Sequence, residues 1–209
     1  MLIAGAGGHA KDILASISEN QYDEIYFFDD ISLPKKVTFS GGYKILSSTD
    51  EAATLFKKNK QFIIGIGEPK LRKTIHDKLN EAGGIADNFI SNSSIIGKFD
   101  VVLSTGLNIM PGVFISNNVT IKDGTLINTL SSIHHGVVIG RFCEISPGCR
   151  ILGDVKIGNF TTIGANATIF PNIEIGNHVV IGAGAVVTKN IPDNATAVGI
   201  PAKVIKIEG

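Results

Sequence analysis

The sequence predicts a small α/β domain followed by a β-solenoid of six-residue repeats. Strand-like and helix-like segments alternate over roughly the first ninety residues, and an aliphatic residue then recurs every six positions along most of the remaining chain. The composition agrees with this division, because 24 glycines among 209 residues and the absence of tryptophan are typical of many tight turns rather than of a bulky aromatic core.

The N-terminal elements follow the order βαβαβα. A glycine-rich turn joins the first strand to the first helix, and Pro69, which suits the first turn of a helix, opens the last helix before Gly83-Gly84 ends it. The predicted strands are residues 2–5, 25–28 and 62–66, and the predicted helices are residues 11–18, 50–58 and 69–81. This order predicts a small parallel sheet, about the size of one mononucleotide-binding half of a dinucleotide fold.

The turn after the first strand carries the pattern of a phosphate site. Residues 5–10 read Gly-Ala-Gly-Gly-His-Ala and match G-x-G-x-x-A between a strand and a helix, where backbone N–H groups and the helix dipole attract an anion. Two carboxylates end the second strand, at about the spacing expected for a contact to a ribose or base, and a glycine ends the third strand. The candidate substrate-binding residues are Gly7, Gly8, His9, Asp29, Asp30 and Gly67.

This turn allows more than one interpretation. An NAD-dependent dehydrogenase would use the same motif, but the region before the repeats is too short for a full dinucleotide fold, so a nucleotide diphosphate fits its size better. The alternative is that the glycines only form a tight turn beneath the helix.

The six-residue repeat runs without a break from Leu103 to Val187, in fifteen members. A period of six fits neither an α-helix nor a hairpin array, but it suits short strands separated by corners, with three faces to a coil. Fifteen repeats predict about five coils in a rod ~24 Å tall. The boundary is expected near Ser91-Asn92, which gives domains of residues 1–91 and 92–209, the second ending in a C-terminal tail.

The charge balance and the cysteines limit the possible partners and compartment. Nineteen basic residues match nineteen acidic ones, so no overall field favours nucleic acid or an anionic membrane. No stretch approaches the ~18 apolar residues of a membrane span and no secretion signal opens the sequence, so a cytoplasmic protein is expected. Cys143 and Cys149 are either a disulfide or two buried thiols.

Two adjacent histidines, His134 and His135, lie inside the repeat region just before Val138-Ile139-Gly140. A histidine near such a corner can take a proton from an attacking nucleophile, because it titrates near neutral pH. The alternative is a solvated or interfacial histidine without a chemical role.

The features combine into a recognisable layout. The Gly-x-Gly-Gly-His turn, the Asp-Asp pair, Asn128-Thr129 ahead of the histidines, and the tail Val198-Gly199-Ile200-Pro201-Ala202-Lys203 together resemble the bacterial sugar acetyltransferases of the hexapeptide-repeat superfamily. The sialic acid O-acetyltransferases and the N-acetyltransferase of bacillosamine biosynthesis typify that family. The resemblance extends over nearly the whole chain and implies an α/β N-terminal half-Rossmann domain followed by a left-handed parallel β-helix.

The resemblance also implies roles for particular residues. His135 matches the position of the family's general base, with His134 and Asn128 as supporting candidates. Family members often carry an acidic residue beside the base, whereas His135 is followed by Gly136, so no orienting carboxylate is evident. Acetyl-CoA is expected as co-substrate between two subunits of a homotrimer, and no metal is expected. The candidate acetyl-CoA-binding residues are Glu144, Ala165, Gly182 and Ala183.

The expected function is acetyl-CoA-dependent N-acetylation of the amino group of a UDP-, dTDP- or GDP-linked amino sugar, for bacterial surface glycan biosynthesis. In this interpretation residues 1–91 hold the nucleotide sugar and residues 92–209 hold acetyl-CoA. One alternative is an O-acetyltransferase acting on a free sugar such as sialic acid, which the phosphate-site pattern disfavours. Another is a non-catalytic nucleotide-binding scaffold, which the lack of an acidic neighbour for His135 favours.

Overall fold

The computed structural model describes residues 1–17, 24–31 and 38–208. The chain forms two compact units, Met1–Phe89 and Ile90–Gly209. Each unit has its own hydrophobic core. None of the helices in the described ranges is long and apolar enough to cross a bilayer.

The first unit is a five-stranded parallel sheet with helices. Its elements are β1 (Leu2–Ala4), α1 (Gly8–Ser16), β2 (Tyr26–Phe28), a 3₁₀ turn (Ser40–Gly42), β3 (Ile45–Leu46), α2 (Thr49–Phe56), β4 (Gln61–Ile64), α3 (Pro69–Glu81) and β5 (Ile85–Ala86). The strand order is β3-β2-β1-β4-β5, which is the order of a doubly wound fold with its switch point between β1 and β4. A ligand crevice is therefore expected beyond the carboxyl ends of these two strands.

The element predictions for this unit are largely confirmed, with local differences. The helix α3 has the predicted bounds, whereas α1 begins three residues earlier than predicted, at Gly8. The predicted end of that helix, Ser18, lies outside the described residues. The strands β3 and β5 were not predicted, because two residues each are too few to show a period.

The second unit is the left-handed parallel β-helix that the resemblance implies. The first face contains β7 (Ile95–Ile96), β10 (Phe114–Ile115), β13 (Ser132–Ile133), β16 (Arg150–Ile151), β19 (Thr168–Ile169) and β22 (Val186–Val187). The second face contains β8 (Val101–Leu103), β11 (Val119–Ile121), β14 (Val138–Ile139), β17 (Lys156–Ile157) and β20 (Glu174–Ile175). The third face contains β6 (Phe89–Ile90), β9 (Asn108–Ile109), β12 (Leu126–Ile127), β15 (Glu144–Ile145), β18 (Thr162–Ile163), β21 (Val180–Ile181), β23 (Ala195–Gly199) and the antiparallel β24 (Ala202–Ile207).

The coils stack with an offset of eighteen residues. Ile127 pairs with Ile145, and Ile145 pairs with Ile163, each in parallel register. The fifteen predicted repeats correspond to β8 through β22, and the solenoid continues beyond them at both ends. The aliphatic member of each repeat points inward, so that most of these side chains are fully buried in one continuous core.

The corners of the solenoid share one backbone conformation. Every sixth residue from 100 to 184 has a positive φ, whether it is glycine or not, and this left-handed conformation turns the chain from one face to the next.

The two cysteines, Cys143 and Cys149, are free and buried in the core, so the interpretation as two thiols is correct. Burial raises the pKa of the Cys149 thiol to about 11, which leaves it unreactive at neutral pH.

Candidate functional site

One candidate site, in the first unit, lies at the carboxyl edge of the N-terminal sheet. Gly5 follows β1, Asp29 follows β2 and Gly65 follows β4, and these three strands are neighbours. Gly5 N–H donates to the carbonyl of Phe28 at 2.8 Å, and Gly65 N–H donates to the carbonyl of Ala4 at 2.7 Å. These bonds draw the three loops together around one crevice.

The crevice is a cavity of about 340 Å³. The six residues predicted to bind substrate all line it. They come from three loops that are distant in sequence, and the fold places them together. The lining residues are Gly5, Ala6, Gly7, Gly8, His9, Phe28, Asp29, Asp30, Ile31, Gly65, Ile66, Gly67, Glu68, Leu71 and Ile75.

The glycines of this crevice divide into two classes. A Cβ on Gly5 would lie 2.8 Å from the carbonyl oxygen of Gly65, and a Cβ on Gly65 would lie 2.8 Å from Ile3 Cγ2, so the packing requires both glycines. A Cβ on Gly7 or Gly8, by contrast, would meet no described atom within 4 Å. The fold does not need these two glycines, and their open space faces the cavity.

Two helix N-termini border the cavity, and they differ in how they are capped. The carboxylate of Glu68 accepts hydrogen bonds from Lys70 N–H at 3.0 Å and Leu71 N–H at 2.6 Å, and so occupies the start of α3. Among the described residues no side chain caps α1, whose N-cap is Gly7. The first N–H groups of α1 are thus the ones available to an anion in the cavity.

A buried cation lies behind the crevice. Arg72 on α3 has no exposed surface, and its Nη2 donates to the carbonyl of Gly67 at 2.7 Å. Burial and the charge of Arg72 lower the pKa of His9 to about 3. His9 is therefore neutral at physiological pH, so it can reach a diphosphate only as a neutral hydrogen-bonding group, and the positive charge near the turn comes from Arg72.

The two aspartates at the end of β2 have different partners. Asp29 Oδ1 accepts a hydrogen bond from Ile31 N–H at 3.1 Å, which shapes the loop locally. Asp30 Oδ2 forms an ion pair with Lys78 Nζ at 2.6 Å, which ties the loop to α3. A sugar or base would meet both side chains on the cavity wall.

A second candidate site, in the second unit, is the corner between β13 and β14. The ring of His134 packs against Phe114, with centroids 6.1 Å apart. The side chain of His135 is 69% exposed, and its Nδ1 lies 3.8 Å from Asp154 Oδ2. His135 is therefore the histidine that a substrate can reach, whereas His134 is partly enclosed.

The acetyl-CoA candidates lie around a different corner of the same solenoid. Glu144 is on β15 of the third face, Ala165 follows β18, and Gly182 and Ala183 follow β21. Ala165 and Ala183 are stacked one coil apart, because Gly184 N–H donates to the Ala165 carbonyl at 2.8 Å. Their corner joins the third face to the first, so within one chain the first face separates it from His135.

Asn128, the other supporting candidate, lies at the corner with the acetyl-CoA candidates rather than beside His135. Its Oδ1 accepts a hydrogen bond from Thr129 N–H at 2.8 Å. The structure therefore does not bring Asn128 next to His135 within one chain.

Sequence reasoning missed Arg72 and Asp154. Arg72 shares the i, i+3, i+7 spacing of the buried Ile75 and Leu79, and a cation on an apolar helix face is the signal that would have found it. Asp154 lies eighteen residues after Gly136, so the coil period would have found it as well.

Known protein families and solved structures match both units of the chain. Residues 1–79 match the PglD N-terminal domain, and segments 118–153, 136–171 and 154–189 match the bacterial transferase hexapeptide (six repeats). A histidine-to-asparagine variant of perosamine N-acetyltransferase from Caulobacter crescentus, in complex with CoA and GDP-perosamine, is 27% identical with a TM-score of 0.89; the match covers 98% of this chain and 96% of that one.

Two further solved structures are similar over nearly their full lengths. The acetyltransferase domain of PglB from Neisseria gonorrhoeae, in complex with acetyl coenzyme A, is 26% identical with a TM-score of 0.88, covering 98% of each chain. WeeI from Acinetobacter baumannii is 26% identical with a TM-score of 0.85, again covering 98% of each chain.

The buried neutral His9 generates a prediction about acid stability. Its pKa of about 3 in the folded protein lies below the ~6.5 of an unfolded chain, so between these values the unfolded state binds more protons and stability falls as the pH falls. At pH 5 the loss is at most about 2 kcal/mol.

We expect His9→Asn to remove roughly 1–2 kcal/mol of the difference in unfolding free energy between pH 7 and pH 5. Urea unfolding at both pH values measures this difference, with His178→Asn, which replaces an exposed histidine, as the control. Identical pH sensitivity in the wild type and in His9→Asn would contradict the neutral assignment.

Proposed function

Because the chain belongs to the bacterial sugar acetyltransferases of the hexapeptide-repeat superfamily and is an acetyltransferase that uses acetyl-CoA, we propose that it acetylates the amino group of a nucleotide-linked amino sugar. The similar perosamine N-acetyltransferase binds CoA and GDP-perosamine. A GDP-linked amino sugar is therefore the first acceptor class to test, followed by UDP- and dTDP-linked ones.

The observation that carries this proposal is the cavity at the carboxyl edge of the N-terminal sheet. It combines the uncapped start of α1, the open space at Gly7 and Gly8 and the nearby charge of Arg72. Each feature favours an anion, and the backbone N–H groups can approach its oxygens because no side chain stands in front of them. Asp29 and Asp30 supply acceptors on the same wall for hydroxyl or base N–H groups.

In the proposed mechanism, His135 removes a proton from the sugar amine as the amine nitrogen attacks the thioester carbonyl of acetyl-CoA. The ring is exposed at the corner of the solenoid, so nothing in the described coil blocks the approach of an amine to it. The protein then contributes placement and proton transfer, with a backbone N–H stabilising the tetrahedral oxyanion.

The proposed acetyl-CoA site needs a second subunit. Glu144, Ala165, Gly182 and Ala183 lie on one corner region of a chain and His135 lies on the next corner. A homotrimer that places the acetyl-CoA corner of one subunit beside the His135 corner of its neighbour would unite them at three equivalent sites.

We predict that an acceptor screen will identify a nucleotide-linked amino sugar, and that Gly7→Val will weaken its binding at least tenfold by filling the approach to the α1 N–H groups. Thiol release from acetyl-CoA and calorimetric titration measure the two effects. Gly7 has φ −97° and a free Cβ position, so the fold accommodates valine. The control is Lys57→Val, at the exposed C-cap residue that follows α2.

Turnover of a free sugar but of no nucleotide-linked amine would overturn the proposed substrate class in favour of O-acetylation. Unchanged nucleotide affinity in a folded Gly7→Val protein would show that the turn is structural only.

We predict that His135→Ala lowers kcat by ~10²- to 10⁴-fold, as expected for loss of a general base, with little change in acetyl-CoA affinity. His134→Ala should have a smaller effect, because that ring packs against Phe114. Steady-state kinetics of both variants separate the roles. Full activity of His135→Ala together with an inactive His134→Ala protein would move the base to His134.

A trimer with shared sites predicts complementation between two inactive variants. His135→Ala removes the base, and Ala183→Trp fills the exposed acetyl-CoA corner. Random mixing in a trimer would regenerate about a quarter of the sites, so co-expression should restore about that fraction of activity. Sedimentation velocity measures the oligomeric state, and a stable monomer with full turnover would contradict the shared site.

A further inference from the structure

The corner that contains His135 stacks against the equivalent corner of the next coil. Asp154 follows Gly136 by eighteen residues, and the two have the same left-handed conformation, with φ of 61° and 71°. Asp154 N–H donates to the His135 carbonyl at 2.9 Å. This bond fixes the backbone of Asp154 beside that of the histidine.

Two glycines make room for this arrangement. A Cβ on Gly136 would overlap Asp154 Oδ1, so any larger residue at 136 would displace the carboxylate. A Cβ on Gly153 would lie 2.8 Å from His135 Nε2, so the imidazole ring lies over the Gly153 backbone. One glycine leaves space for the carboxylate and the other for the ring.

The charged groups nearby have other partners. Lys156, two residues after Asp154, pairs with Glu174 at 2.8 Å, and Arg150 on β16 directs its Nη1 toward the Gly148 carbonyl at 3.5 Å. Asp154 Oδ2 lies 3.8 Å from His135 Nδ1. This separation is an ion-pair distance rather than a hydrogen bond, and such contacts often shorten once a site is occupied.

We propose that Asp154 is the positioning residue for His135, supplying from the next coil the carboxylate that Gly136 does not supply from the adjacent position. This inference rests on the proposed function of His135. By accepting the Nδ1–H of the ring, Asp154 leaves the Nε2 lone pair for the substrate amine and stabilises the imidazolium that forms.

The proton balance of the reaction closes with this pair. The amine nitrogen forms a bond to the thioester carbonyl carbon and gives its proton to His135 Nε2. The carbon–sulfur bond then breaks, and the imidazolium returns the proton to the departing CoA thiolate. Asp154 accepts the Nδ1–H of the ring and takes no proton from the substrate itself.

The test compares Asp154→Asn with the wild-type protein. The asparagine keeps the shape at the corner but replaces the carboxylate by a neutral amide. We expect kcat to fall roughly ten- to a hundredfold while KM for both substrates stays within about twofold. In a His135→Ala background the same change should have no further effect, because Asp154 acts through the ring.

Moving the carboxylate from position 154 to position 136 tests whether activity can be rescued. Asp154→Gly alone should lose activity, and Gly136→Asp with Asp154→Gly should recover most of it, since aspartate already adopts the left-handed conformation at the equivalent corner. Glu174→Gln, which also removes a carboxylate from this stack of coils, is the control and should be fully active.

An ¹⁵N NMR measurement of the His135 tautomer is independent of turnover. The wild-type ring should be mainly the Nδ1–H tautomer, and Asp154→Asn should shift it toward a mixture. An unchanged tautomer, or full activity of Asp154→Asn while His135→Ala is impaired, would overturn the positioning role. Full activity of His135→Ala would instead overturn the proposed base, so the two failures are distinguishable.

Discussion

The stacking of each coil on the next by parallel backbone hydrogen bonds is the constraint on which the second unit depends. Because backbone N–H groups of each coil donate to carbonyls of the neighbouring coils, a residue in a repeat is stacked on the residue eighteen positions away. The inward positions become a continuous aliphatic core. Side chains at the corners stack from coil to coil, as the rings of Phe142, Phe160 and His178 do. A substitution at one corner therefore alters the contacts of the corner stacked on it in the neighbouring coil.

The stacking of Asp154 on Gly136 is the part of this constraint on which the proposed base depends. In a solenoid, a side chain can be supplied to a site from the same corner or from the one above, because both end within a few ångströms of the same point. Here Asp154 takes that place, and the absence of a side chain at Gly136 leaves the room. In the sequence, the lack of an acidic residue next to His135 favoured a non-catalytic scaffold. With Asp154 beside the ring, that lack is no longer an argument against His135 as a general base.

The first unit uses the same principle with different elements. Parallel pairing of β1, β2 and β4 brings three loop starts to one edge, and close contacts there require Gly5 and Gly65 for packing. Gly7 and Gly8 carry no such requirement, because a Cβ on either would meet no described atom within 4 Å. They therefore leave open space at the cavity. The Glu68 carboxylate caps one of the two helix N-termini at the cavity and leaves the start of α1 without a side-chain cap.

The local pattern by itself determined the two-part architecture, the inward positions of the repeat, the helix over Pro69–Glu81 and the three loops that meet at the cavity. These features follow from the six-residue period, from the residue types at turns and from the βαβ order of the elements. All three can be recognised from residues that are close together in the sequence. Only the tertiary structure decided the neutral state of His9 and its relation to buried Arg72. It also decided how far His135 lies from the corner of the acetyl-CoA candidates, and the distance of 3.8 Å between Asp154 Oδ2 and His135 Nδ1. Each of these depends on contacts between residues far apart in sequence, whose side-chain directions and burial are set by the register of strands and coils rather than by the residues next to them.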